Sequence, residues 1–166
     1  MKYLSDAPSH EPQVRTNGAK SISYILNVPW IELVDRMNKI SAMQKPHPLP
    51  SCKYFSKYKP CLESHVRTDS RGSKQISFNH DGQKVQVMTH VLSYCVANHT
   101  RINTSLKTKQ VSHLCDHHWC HESSHIILES PKENHSRKNC KGYVWSKQYL
   151  DWIPVCNHNP PCLTIA

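Results

Sequence analysis

Apolar residues recur at three- and four-residue spacing across residues 29–44. Trp30, Leu33, Val34, Met37 and Ile40 share one stripe, and Pro29 suits a first helical position. The pattern predicts an amphipathic helix, stopped by Pro46, Pro48 and Pro50, which read as a linker. Between residues 51 and 87 the period changes to two. Residues 64–68 form one predicted strand. Residues 74–78 form another, with Ile76 and Phe78 inward, and residues 84–87 a third, with Val85 and Val87 inward. Asp81-Gly82 between the last two is a hairpin turn signal. The helical period returns over 87–98, with Met88, Val91, Leu92 and Cys95 on one stripe. Residues 1–20 are polar and without period and read as a disordered arm. Residues 99–110 read as a polar, basic loop.

Composition changes this picture in one respect. Hydrophobic residues are only 37% of the 166, below the roughly 45–50% of a typical globular chain, so a thin core is expected. The chain also holds 8 Cys and 13 His. Its start lacks the apolar run of a secretory signal, so the expected setting is nuclear or otherwise intracellular, and not secreted. In a reducing compartment, Cys and His together read as metal ligands rather than disulfides. Metal would then close a structure that apolar burial alone closes poorly. No apolar stretch approaches the roughly 20 residues of a membrane-spanning helix. The formal charge of +9 suits a polyanionic partner.

Residues 111–140 carry the chemistry. Cys115, Cys120 and His125 are separated by four intervening residues each, which suits a loop folded around one tetrahedral zinc with a fourth ligand from elsewhere. Residues 126–128 form a short apolar strand, and residues 130–133 have the form of a capping box with Pro at the first helical position. Strand, loop, strand and helix thus follow one another. Asn134 sits in the first turn of that helix, and its amide oxygen is a hard neutral ligand for Mg²⁺ or Ca²⁺. His113, ending the first strand, can face Asn134 and take a proton from water. A divalent ion on Asn134 could stabilise charge on a phosphate, and the pair together make a phosphodiester hydrolysis site. Downstream, Cys156, His158 and Cys162 join Cys140 as four ligands for a second zinc. Six ionised thiols against two Zn²⁺ remove two charges and leave about +7.

Ser112-His-Leu-Cys115, Cys120-His121, His125, Asn134, Arg137, Asn139 and Cys140 together resemble the His-Cys box of intron-encoded homing endonucleases, a branch of the His-Me finger (ββα-metal) nucleases. The resemblance implies an α+β fold: a small mixed fold with antiparallel DNA-contacting strands, a ββα-metal nuclease motif and two structural zinc sites. The divisions are 1–20 as the arm, 21–50 as an N-terminal helix and Pro-rich linker, and 51–166 as the nuclease domain. It implies His113 as general base, Asn134 as holder of the single catalytic Mg²⁺, and an upstream Cys completing the first zinc site. The family's order favours Cys61, with Cys52 second, while Cys95 lies on the apolar stripe and reads as core. Cys140, Cys156, His158 and Cys162 match the family's second site, although the insertion between Cys140 and Cys156 is long and carries Tyr143, Trp145, Tyr149 and Trp152.

Beside such a centre, the basic outward positions become candidate DNA contacts: Arg67, Arg71, Lys74 and Lys84 on the strands, and Arg137 on the helix. His65 shares that face. Lys53, Lys57 and Lys59, interleaved with Tyr54, Phe55 and Tyr58, are either a backbone grip or an ordinary basic loop. His117, His118 and His121 read as surface residues. The implied function is a metal-dependent, site-specific endonuclease of double-stranded DNA. A homodimer stays open, since cutting two strands needs two active sites. The competing readings are an inactive zinc-stabilised DNA-binding protein derived from such a nuclease, and a disulfide-bonded secreted protein.

Overall fold

The structure is a computed structural model that describes residues 23–50, 54–102 and 108–166. The expected arm at 1–20 lies outside these residues, as do Cys52 and Lys53. Among the described residues, three α-helices and four two-stranded antiparallel sheets make up a small mixed α/β fold. Helix α1 runs Trp30–Ala42 with Pro29 at its cap, one residue before the expected first-turn position. Its apolar stripe is buried as the periodicity predicts, with Trp30, Leu33, Val34, Met37 and Ile40 inside. Helix α2, Thr89–Ala97, buries Val91, Leu92 and Cys95 against it.

Strands β1 (Gln44–His47) and β2 (Cys61–Ser64) pair antiparallel, His47 opposite Cys61. This differs from the sequence reading in two ways. The Pro-rich stretch expected as a linker opens with a strand, because an edge strand tolerates Pro46. The strand expected over 64–68 instead ends at Ser64, and the chain then turns on Asp69, whose carboxylate accepts Arg71 N and Ser73 N at 2.9 Å each. Strands β3 (Gln75–His80) and β4 (Gln83–Met88) form the expected hairpin. Asp81 and Gly82 both take positive φ at its turn, the conformation a two-residue hairpin loop requires. Phe78, Val85 and Val87 face inward, while Ser77, Asn79 and Lys84 face solvent.

Strands β5 (Gln110–His113) and β6 (Ile126–Glu129) pair around the intervening loop, and helix α3 (Pro131–Arg137) follows. Its capping box forms: Ser130 Oγ accepts from Glu133 N, and Glu133 Oε2 accepts from Ser130 N. Strands β7 (Tyr143–Ser146) and β8 (Asp151–Pro154) make a further hairpin inside the long insertion.

The interior divides in two. The larger apolar group joins α1, α2 and the β3–β4 hairpin to Val111 and Ile126. The smaller one contains Phe55, Leu114, Tyr143 and Leu163 together with Cys61, Cys115 and Cys120. Thiols therefore stand where a larger chain would place more aliphatic side chains. Among the described residues, no helix is long and apolar enough to cross a membrane.

Candidate metal centres and active site

Cys61 opens β2, Cys115 follows β5, Cys120 bridges to Glu63 beside β2, and His125 closes the short turn before β6. Their ligand atoms all lie within 4.8 Å of one another, and all four residues are buried. His125 Nδ1 stands 3.4 Å from Cys61 Sγ and 3.7 Å from Cys120 Sγ. Without a cation these thiols compete. Bonds from Cys115 and Cys61 hold the Cys120 thiol far below its usual range, while the bond to Cys115 pushes Cys61 far up and the bond to Cys120 pushes Cys115 up to about 12. Buried thiols that cannot all ionise alone, plus one imidazole, are the donor set a tetrahedral Zn²⁺ satisfies.

The second group is Cys140, Cys156, His158 and Cys162, again within 4.8 Å, but only Cys162 is fully buried. Cys140 lies just beyond α3, and its backbone N donates to Arg137 O. Burial pushes the Cys156 thiol up, but N–H groups of Cys162 (3.3 Å) and His158 (3.4 Å) outweigh it and hold the thiol well below its usual range, at about 6. His158 Nδ1 faces Cys156 Sγ at 3.2 Å. Both groups can hold zinc, and no disulfide is formed among the described cysteines. Cys95 is buried in the apolar core, apart from either group.

His113 ends β5. Its Nε2 lies 2.9 Å from Cys120 O, and its ring packs against His90 of α2 at 4.5 Å, with the His118 ring edge-on at 6.3 Å. Burial lowers its pKa, with the Cys120 thiolate and carbonyl pulling the other way. Burial also drives His90 down to about 3, aided by His113, and its Nδ1 is enclosed without a partner. Asn134 is half-buried on α3, and its Nδ2 donates to Gln110 Oε1 at 2.8 Å. The two groups expected to face each other therefore make no direct bond. Asn134 is tied to the first residue of β5 and His113 is its last, about 10 Å along the strand at roughly 3.3 Å per residue.

Of the basic candidates, Arg67, Arg71 and Lys84 are exposed beside or on the β3–β4 hairpin. Lys74 is largely covered and pairs with Glu63 at 3.1 Å, a contact that holds the Glu63 carboxyl below its usual range. Arg137 is a correction. It is buried, donating from Nε to Glu129 (2.8 Å) and from Nη1 to Pro160 O (2.8 Å) and Cys162 Sγ (3.5 Å). A charge so fully engaged inside the protein is not available to a phosphate. Ser112 Oγ also donates to Glu129. Three to four residues along a helix gives the face but not whether that face is covered, so the sequence offered no warning.

Other residues had no sequence signal. Gln110, at the start of β5, accepts from the Asn134 amide on α3. His121 is buried, with Nε2 at 3.1 Å from Gln44 Oε1, rather than on the surface as expected. His117 Nδ1 reaches Cys61 Sγ at 3.3 Å and stacks on Trp119. Tyr143 of the insertion is buried against Tyr54 and Phe55, whereas Trp145 and Tyr149 are exposed.

Compared with known proteins, residues 60–166 match the family model for the zinc-binding loop region of homing endonuclease, well over half of the chain. No curated protein matches the chain.

Proposed function

We propose, from the premise that this chain belongs to the homing-endonuclease family carrying that zinc-binding loop, that it is a metal-dependent endonuclease cutting double-stranded DNA at specific sites. One observation carries the reading: the bond between His113 Nε2 and Cys120 O. A carbonyl only accepts, so Nε2 carries the proton and Nδ1 keeps its lone pair. Burial keeps the ring neutral at pH 7. A neutral imidazole oriented by a loop that zinc would tie down is what a general base requires.

His113 Nδ1 would take the proton of the water that attacks phosphorus. Asn134 would hold Mg²⁺ through Oδ1. The fit is chemical: Gln110 engages the amide nitrogen, which leaves a neutral oxygen, and Mg²⁺ favours one or two protein oxygens completed by water and substrate phosphate. When bound, such an ion supplies charge stabilisation to the phosphate and the leaving oxygen. Cys61, Cys115, Cys120 and His125 would hold one structural zinc, and Cys140, Cys156, His158 and Cys162 the other. Arg67, Arg71 and Lys84 would grip the duplex, with the β3–β4 hairpin presented to the major groove, which admits a two-stranded ribbon. Cleavage of both strands calls for two such centres, hence a homodimer on the DNA.

The test is supercoiled plasmid incubated with Mg²⁺ and the zinc-loaded protein. Wild type converts it to nicked and linear forms, and His113→Ala loses about 10²–10⁴-fold in rate. Tight, salt-dependent binding with no cleavage under any divalent ion would instead leave a zinc-stabilised DNA-binding protein.

A further inference from the structure

The second cluster is bonded to the helix that carries Asn134 through side chains that no ligand pattern includes. Helix α3 has only 7 residues, too few to persist alone. Its start is fixed by the capping box. Its end is fixed by a chain of bonds with consistent donors and acceptors. His158 directs Nδ1 at the thiols of Cys156 and Cys162, so Nε2 carries the proton and donates to Ser136 Oγ at 2.9 Å. Ser136 Oγ–H in turn donates to Glu133 O at 2.7 Å, one turn back on the helix. Arg137, the next residue, adds its bonds to Pro160 O and Cys162 Sγ. By contrast, the outer nitrogen of His125 in the first cluster is buried with no partner. An outer partner on a ligating histidine fixes its ring and raises metal affinity.

We propose that Ser136 is a positioning residue through which the second Cys/His cluster fixes α3. A metal held by Cys140, Cys156, His158 and Cys162 locks the His158 ring. The locked ring holds Ser136, and Ser136 lies two residues from Asn134. The consequence for Asn134 as a divalent-ion holder rests on the function proposed above; the fastening of the helix does not.

The test uses the full zinc-loaded chain and three forms: wild type, Ser136→Ala and Ser136→Thr. Chelator competition reads zinc retention, and amide hydrogen exchange reads residues 131–137. In Ser136→Ala, one of the two zinc ions is expected to be released at roughly 10–100-fold lower chelator strength, and the α3 amides to exchange faster. Ser136→Thr, which keeps the hydroxyl on an exposed position, restores both. Unchanged zinc retention in Ser136→Ala overturns the proposal, and so does weakened retention with unchanged α3 exchange. A wild-type chain that binds no zinc overturns it as well. Plasmid cleavage is scored separately: a wild type that never cuts DNA defeats the nuclease reading, while the exchange data still decide this one.

Discussion

The two Cys/His clusters use the same kinds of ligand and are held in opposite ways. The first sits inside an apolar group with Phe55, Leu114 and Tyr143, all four ligands buried, and the outer edge of its histidine meets no polar partner. The second is half-open to solvent, and polar bonds surround it: N–H groups on Cys156, Arg137 on Cys162 and Ser136 on His158. The first is therefore a substitute for core, and a metal held there would stand in for apolar burial that the chain lacks. The second is a fastening that ties the end of α3, the β7–β8 hairpin and the final residues together. His113 is joined to the first cluster through Cys120 O, and α3, which carries Asn134, is joined to the second through Ser136 and Arg137.

That difference can be broken at graded cost. The largest effect is expected from Cys120→Ser. It removes a fully buried ligand, and structural zinc carries about 10–16 kcal/mol of apparent binding energy, comparable with a whole domain's stability of about 5–15 kcal/mol. Cooperative thermal unfolding followed by circular dichroism should disappear, whereas Cys140→Ser should keep it. Next is Arg137→Met, which strands the buried Glu129 carboxylate and should cost about 3–5 kcal/mol in urea titration. Gly142→Ala follows. Gly142 has φ of +60°, and a Cβ there would press on Thr164 and stand 2.8 Å from Cys162 O beside the second cluster. A loss of about 2 kcal/mol is expected from the strained conformation alone, with zinc release from the second cluster only. The smallest effect is that of Ser130→Ala, which removes the α3 cap and should cost about 1 kcal/mol. Amide exchange should place that loss in residues 131–137 rather than across the protein.

What was legible from sequence was local. The stripe of α1, the stripe of α2, the Asp81-Gly82 hairpin and the capping box of α3 all depend on neighbours within a few residues, and the structure contains each of them. The cysteine and histidine spacings were legible for a related reason: few other arrangements give those residues a common purpose. Pairing between distant segments was not legible. Gln44–His47 becomes a strand only because Cys61–Ser64 comes alongside it, and local Pro residues argue the other way. The β7–β8 hairpin lies in an insertion whose aromatic residues are split, Tyr143 inside and Trp145 outside, without a clean alternation to announce it. Arg137 looked like a free cation because its partners, Glu129, Pro160 and Cys162, are brought to it by the fold. The amide of Gln110 and the hydroxyl of Ser136 gave no sign because their roles exist only through the side chains they hold.

The central claim is that the His113 imidazole, held by Cys120 O, supplies the base for DNA hydrolysis. Its most direct test is single-turnover cleavage by His113→Ala, with and without free imidazole, at saturating Mg²⁺ and confirmed full zinc content. Cleavage is expected to fall by about 10²–10⁴-fold and to be partly restored by imidazole in proportion to its neutral form. Cleavage by His113→Ala at the wild-type rate would contradict it.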